Sequence, residues 1–313
     1  MNFQQLRIIR ETARRNHNLT EVASALHTSQ SGVSKHIKDL EDELGVELFI
    51  RRGKRLLGMT APGKELLTIV ERMLLDANNI RSLAEQFARR NEGSLVLATT
   101  HTQARYVLPP VVGRFMAEFP KVHLTLHQGS PKEIVAMLNT GEADIGIATE
   151  ALDGEPTLVS FPFYEWRHAL VVPDGHPLTR VPSVSLAQIA EYPLITYHRD
   201  YTGRNRIDAA FNAAGLVADI VMSALDADVI KTYVGLGLGV GIIAEVAFVP
   251  QQEEGLTRLA TGDLFATNTT RIAIRRGHYL RGFAYRFIEE CRRDLTEAAV
   301  REAVSPNQDV ELP

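Results

Sequence analysis

Apolar residues recur along this chain with two different periods, and the change of period divides it. Val33, Ile37, Leu40 and Leu44 are spaced 4, 3 and 4 apart and predict one buried helical stripe. Just before it, Val22, Ala23 and Leu26 share one face of a shorter helix that Thr20 is placed to cap. His27-Thr28-Ser29 forms a tight turn between the two helices, and Gly45 supplies a left-handed residue past the second. Leu48–Leu56 reads as two short strands joined by a basic turn at Gly53. From Thr60, with Pro62 in the first turn, a long helix runs to Arg90. Along it Leu66, Val70, Met73, Ala77, Ile80, Ala84 and Phe87 alternate steps of 4 and 3, a heptad seam. At the usual rise the helix spans about 45 Å.

After Glu92-Gly93 the pattern becomes one of short apolar strands alternating with helices. Strands are expected at 94–98, 122–127 and 145–148. Helices are expected from Pro109-Pro110 to Phe119-Pro120 and from the capping box Ser130-Pro131-Lys132-Glu133 to Gly141. A second set begins near Trp166, with strands at 168–172, 194–196, 220–223 and 239–243 and helices at 186–190, 204–214 and 227–234. A last strand, 270–275, and a helix, 283–295, follow. This order predicts parallel strands with crossover helices. The chain is expected to cross from one lobe to another near 161–164 and to return near 264–268. The resulting class is α/β: a winged helix-turn-helix (1–59), a linker helix (60–90), one lobe built from 91–163 and 265–300, a second lobe (164–264) and a polar tail (301–313). Ligands in such sheets bind at the carboxyl ends of strands, here in the cleft between lobes.

Charge sharpens the division. Residues 1–90 carry a net +4 and residues 91–313 a net −8, a basic head on an acidic body. Gln30, Ser31, Ser34, Lys35 and Lys38 lie opposite the buried stripe, and Arg51, Arg52, Lys54 and Arg55 sit on the wing. Short polar groups with nearby cations suit base edges and phosphates in a groove, so double-stranded DNA is the expected partner. A paired seam would bring two such heads to the half-sites of a palindrome. Cys291 is the only cysteine, which excludes an internal disulfide or a cysteine-based metal cluster. No signal peptide and no membrane-length apolar run is found, so a cytoplasmic location is expected.

Head, linker and two-lobed body resemble the LysR-type transcriptional regulators along essentially the whole chain. The resemblance is carried by 23–34 (ASALHTSQSGVS), 40–45 (LEDELG), Leu48-Phe49, Thr60-Ala61-Pro62-Gly63 and the glycine-rich 235–243 (GLGLGVGII). Gly32 stands where many members have Pro. The segment 99–106 (TTHTQARY) narrows the likeness to the CysB/Cbl branch. That branch implies a periplasmic-binding-protein-like effector domain and control of sulfate assimilation and cysteine biosynthesis, or of alkanesulfonate and sulfate-starvation genes. Its matching residues Thr100, Thr102, Gln103, Thr149 and Thr202 line a site for sulfate or an acetylated serine, held without a covalent bond; no cofactor or metal is implied. Hydroxyls and an amide at strand and helix ends make a neutral donor set for a small oxyanion. Tyr164 and Trp166 are expected to wall the cleft. Homodimers, a tetramer and contact with RNA polymerase follow as expected partners.

Other motifs carry less. Gly235, Gly237, Gly239 and Gly241 precede a strand and lack the dinucleotide spacing. His123 and His127 share a strand without a third ligand. Arg292 and Arg293 beside Cys291 are weak grounds for a reactive thiol. The cleft set contains no nucleophile–base pair, which disfavours an enzyme, and a free-standing solute binder has no need of residues 1–90.

Overall fold

The computed structural model describes all residues except Lys54, Arg89, Asp200 and 305–313. It forms two compact units, Met1–Glu85 and the remainder from Gln86. The first contains helices α1 (Phe3–Arg14), α2 (Leu19–Ala25) and α3 (Gln30–Leu44), the hairpin β1 (Phe49–Arg52) and β2 (Arg55–Met59), and most of α4 (Ala61–Ala88). Asn18, not Thr20, caps α2, accepting the N–H groups of Thr20 and Glu21, because the helix already begins at the buried Leu19. Ser29 caps α3, and Gly45 at φ 70° ends it. Val33, Ile37 and Leu40 are fully buried against Ile8, Ile9, Val22, Leu48, Phe49 and Leu56. Leu44, expected in that stripe, is 40% exposed, since it lies in the final turn beyond the helices that cover the others. Glu41 takes its place as the buried neighbour of the wing. Its carboxylate accepts the N–H groups of Leu48 (2.8 Å) and Phe49 (3.1 Å) and pairs with Arg51 at 2.6 Å.

The predicted seam of α4 divides in two. Val70 and Leu74 are buried with Leu6 of α1, and Leu66 and Met73 pack at their margin. That half is filled from within the chain. The later seam positions Ile80 (68% exposed) and Phe87 (84% exposed) remain open, with Leu83, off the seam, exposed beside them.

The second unit runs β3 (Gly93–Thr99), a π-helical turn (Gln103–Val107), α5 (Leu108–Glu118), β4 (Val122–Gln128), α6 (Pro131–Thr140), β5 (Ile145–Ala148) and β6 (Leu158–Trp166). It continues with β7 (His168–Pro173), α7 (Leu186–Ala190), β8 (Leu194–Tyr197), α8 (Arg204–Ala213), β9 (Ile220–Ala224), α9 (Ala227–Gly235), β10 (Val240–Ala244) and β11 (Leu256–Ala260). It closes with β12 (Asn268–Arg275), α10 (Gly282–Cys291) and α11 (Glu297–Val304). Two sheets result, ordered β4-β3-β5-β12-β6 and β11-β7-β10-β8-β9, one per lobe.

Neither sheet is all-parallel. β3 pairs parallel with β4 and β5, but β12 runs antiparallel to both β5 and β6, and β7 runs antiparallel to β10 and β11. The physical reason is the double crossing: β6 leaves the first lobe where β12 enters it, so the two must run in opposite directions. They stay paired through Trp166 opposite Asn268. The outgoing crossing therefore lies at Arg167, beyond the expected 161–164. The expected helix 283–295 stops at Cys291, where Arg292 turns extended at φ −149°, and α11 begins anew with Val300 and Val304 buried. The rest of the expected polar tail, 305–313, lies outside the described residues. The first lobe's core joins Leu95, Leu97 and Ile147 to Phe115 and Phe287, whose rings meet edge-on at 5.3 Å. Burial pushes the Cys291 thiol up from its ordinary value, so its arginine neighbours do not activate it. Among the described residues no helix is long and apolar enough to cross a membrane.

Candidate effector site and DNA-contact surface

The donor segment follows β3, whose last residue Thr99 donates its hydroxyl to the Ile147 carbonyl (2.9 Å). Thr100, Thr102 and Gln103 are all buried as the chain coils into the π turn. Gln103 Nε2 donates to Thr270 Oγ1 (3.3 Å), and its Oε1 accepts from the Tyr164 hydroxyl (2.7 Å). Thr149 Oγ1 lies 3.2 Å from the same Thr270 oxygen, and Trp166 Nε1 donates to it at 3.1 Å. The fold thus joins Gln103, Thr149, Tyr164 and Trp166 in one network. Trp166, expected to wall the cleft, is buried, with its N–H donated to Thr270. Thr100 and Thr102 lie at the same strand end but outside the network.

Thr202 belongs to that second lobe. Thr202 (φ 41°) and Gly203 (φ 72°) form a turn closed by Arg204 N–H to the Tyr201 carbonyl (2.9 Å). A β-branched residue held in the left-handed region costs about 1–3 kcal/mol, so its surroundings must enforce it. His168 Nε2 meets the Thr202 carbonyl at 3.2 Å, and its ring sits edge-on to Trp166 and Phe265. Burial holds His168 down at about 4, a neutral imidazole whose Nε2 carries the proton facing that carbonyl. A side chain on Gly203 would lie 2.5 Å from Asn268 Oδ1 and 2.7 Å from His168 Cε1, so only glycine fits. The Gly203 N–H donates to the carboxylate of Glu150, which belongs to the first lobe. Burial pushes Glu150 up to about 7, against the pull of the Gly203 N–H and the Arg206 charge.

Thr149, Glu150, Asn205, Arg206 and Arg271 border a cavity of about 690 Å³ that also touches Thr269. Strand alternation turns Thr269 and Arg271 to one face of β12 and Thr270 to the other. A separate clamp joins the lobes at Asp228 of α9. Its carboxylate receives Tyr106 Oη (2.6 Å), His101 Nε2 (2.9 Å) and Arg105 Nε (3.0 Å), with Lys231 at 3.3 Å. Burial works upward on Asp228, but the hydrogen bonds of Tyr106 and His101 and the charges of Lys231 and Arg105 outweigh it and bring it to about 2. His101, Asp226 and Asp228 come within metal-ligand range of one another. Asp226 already caps α9 through Val229 N–H (2.9 Å), and Asp228 is engaged by cations, so this cluster acts as an ion-pair clamp.

Sequence reasoning missed Thr270, Glu150, His168 and Asp228. None stands in a recognisable motif; Thr270 is one threonine of Thr269-Thr270, and only the pairing of β12 with β5 and β6 reveals its position.

In the head, Gln30, Ser31, Lys35 and Lys38 are exposed and Ser34 is half-buried. Gln30 and Arg55 border one depression together with Asn16–Glu21, so the start of α3, the start of α2 and the wing share a surface. Arg52 and Arg55 are exposed. Arg51, also expected to contact DNA, is exposed as well, and its Nη2 pairs with Glu41 at 2.6 Å. Lys54 lies outside the described residues.

A basic helix-turn-helix head on a two-lobed sensing body is the plan of one class of protein. Residues 3–64 match the bacterial regulatory helix-turn-helix protein of the lysR family, and residues 88–296 match the LysR substrate binding domain. The chain belongs to the LysR family of transcriptional regulators; it is a DNA-binding regulator, not an enzyme. Within that family it falls in the CysB/Cbl branch. It is 59% identical over 308 residues to the transcriptional regulator SsuR of Burkholderia cenocepacia, covering 97% of this chain and 100% of that one. It is 55% identical to the regulator cbl of Escherichia coli (100% and 99% covered) and 48% identical to CysB of Burkholderia cenocepacia (97% of each). The crystal structure of the cofactor-binding domain of the Cbl regulator matches 68% of this chain and 93% of its own length, with TM-score 0.66 and 51% identity. Full-length CbnR in complex with its target DNA shares the fold, with TM-score 0.60 at 21% identity.

Proposed function

We propose that this regulator senses a small oxyanion or acylated amino acid of sulfur metabolism, sulfate or an acetylserine, and sets transcription of sulfur-assimilation genes accordingly. The observation that carries the reading is the set of neutral donors: buried Gln103 and half-buried Thr149, tied through Thr270 in one lobe, and buried Thr202 in the other. Such donors bind an anion without introducing a countercharge that must itself be desolvated. Of the two gene sets implied by the branch, the higher identity to SsuR and Cbl than to CysB favours alkanesulfonate and sulfate-starvation genes over the cysteine biosynthetic set. A ligand that touches both lobes shifts the body only by its differential affinity for two lobe angles, and bound DNA would read that shift through head spacing. The open half of the α4 seam supports a homodimer; on this reading the protein works in the cytoplasm, its dimers pair into a tetramer on promoter DNA, and it meets RNA polymerase there.

Calorimetric titration of the full chain with sulfate and with O-acetylserine tests this. Thr100→Ala and Thr202→Val are expected to abolish the response to effector while basal operator binding survives. An unmutated chain that binds neither ligand refutes the sulfur reading.

A further inference from the structure

Thr270 stood in no expected set, yet three of the expected residues converge on its hydroxyl. It is fully buried, 3.3 Å from Gln103 Nε2, 3.1 Å from Trp166 Nε1 and 3.2 Å from Thr149 Oγ1. A hydroxyl has one proton and two acceptor sites. The indole N–H can only donate, so it fills one acceptor site. Gln103 Nε2 fills the other; its amide is oriented from the far end, where Oε1 takes the Tyr164 proton. With both acceptor sites filled, Thr270 must donate its own proton to Thr149. Thr149 therefore accepts from within the protein and keeps its proton uncommitted, as Gln103 keeps its second Nε2–H. The opposite order, with Thr270 donating to an inverted Gln103 amide, would turn the Thr149 proton inward and leave lone pairs in its place.

We propose that Thr270 is a positioning and specificity-determining residue: it fixes the direction of the hydrogen bonds through Trp166, Gln103 and Thr149, so that the pocket presents protons and selects an oxyanion. The inference rests on the reading above that Gln103 and Thr149 touch the effector. Donors already held in direction need no reorganisation when the anion arrives, which is what makes uncharged groups effective in a buried site.

The test is a mutant cycle on the full chain, titrated calorimetrically with inorganic sulfate, with thermal unfolding recorded for each variant. Thr270→Val keeps the branched shape and removes the hydroxyl; it is expected to lose roughly ten- to hundredfold in sulfate affinity. Thr270→Ser restores the hydroxyl and should return to within about threefold of the parent. In the Thr149→Ala background, Thr270→Val should cost several-fold less than it does alone, because its effect passes through Thr149. A valine variant that binds sulfate like the parent overturns the inference, and so do strictly multiplicative losses, the mark of a merely structural role. If the valine variant does not fold, Thr270→Ala enters the same cycle under the same criteria. A parent chain that binds neither sulfate nor O-acetylserine removes the effector reading itself; a parent that binds with an indifferent Thr270→Val removes only this inference.

Discussion

Replacing Glu150 by glutamine should change how the body's stability depends on pH. The Glu150 carboxyl is buried at the lobe junction, and its folded-state value of about 7 lies above the ordinary 4.5. Between those values the native protein holds a proton that the unfolded chain has released, so the parent loses stability as pH rises through that window. At 1.36 kcal/mol per pH unit the gap corresponds to about 3 kcal/mol, the full amount being present below 4.5 and gone above 7. His168 works in the other direction: held down at about 4, it contributes stability above 6.5 that is lost as pH falls. The two effects overlap between 4.5 and 6.5 and flatten the parent's own curve. Glutamine keeps an acceptor for the Gly203 N–H and cannot titrate, so the difference between parent and Glu150→Gln isolates the carboxyl. Trp166 is the only tryptophan and is buried in the body, so its fluorescence reports unfolding of that unit. Urea titrations at pH 5, 6, 7 and 8 should show the glutamine variant gaining on the parent by about 2–3 kcal/mol from the lowest to the highest pH. A difference that stays constant across that range would show that Glu150 is not protonated in the native body, and the reasoning would fail.

Three further outcomes are expected. Glu41→Ala strips the acceptor from two buried N–H groups, at about 1–3 kcal/mol each, and should raise hydrogen exchange at Leu48 and Phe49; unchanged protection there counts against Glu41 holding the wing. Lys35→Ala should weaken operator binding and reduce the slope of log affinity against log salt by about one phosphate contact, read from gel shifts at several salt concentrations. Ile80→Asp should dissociate the native oligomer in sedimentation while the head stays folded, whereas Val70→Asp should unfold the head, because Val70 is buried against Leu6 within the chain.

The head was legible because its information is local. The spacing of Val33, Ile37 and Leu40 and the position of Gly45 sit within one helix and its end. What failed there depended on neighbours: Leu44 continues the period but has nothing to cover it, and Asn18 outcompetes Thr20 because Leu19 is already in the core. In the body the short strands were legible as apolar runs, but their directions were not. β6 and β12 are about a hundred residues apart, and nothing local in Leu158–Trp166 announces an antiparallel partner. The donors Gln103, Thr149 and Thr202 came from the family resemblance. Their organisation around Thr270, the His168 support under Thr202 and the Glu150 bridge exist only once two sheets have been assembled, so no spacing rule finds them.

The π turn at Gln103–Val107 has a bearing on how this sensor changes over generations. A π turn holds one residue more than an α turn, and here it lies between the end of β3 and the start of α5, outside the paired strands. Loss of a single codon in that stretch would let the segment relax into a regular α-helix, rotating Gln103 away from Thr270 and leaving the sheet and the DNA-binding head unchanged. Insertion of one codon would reverse the step. The hold of Gln103 on Thr270 can thus be lost or regained by one in-frame indel, a far shorter mutational path than repacking a core.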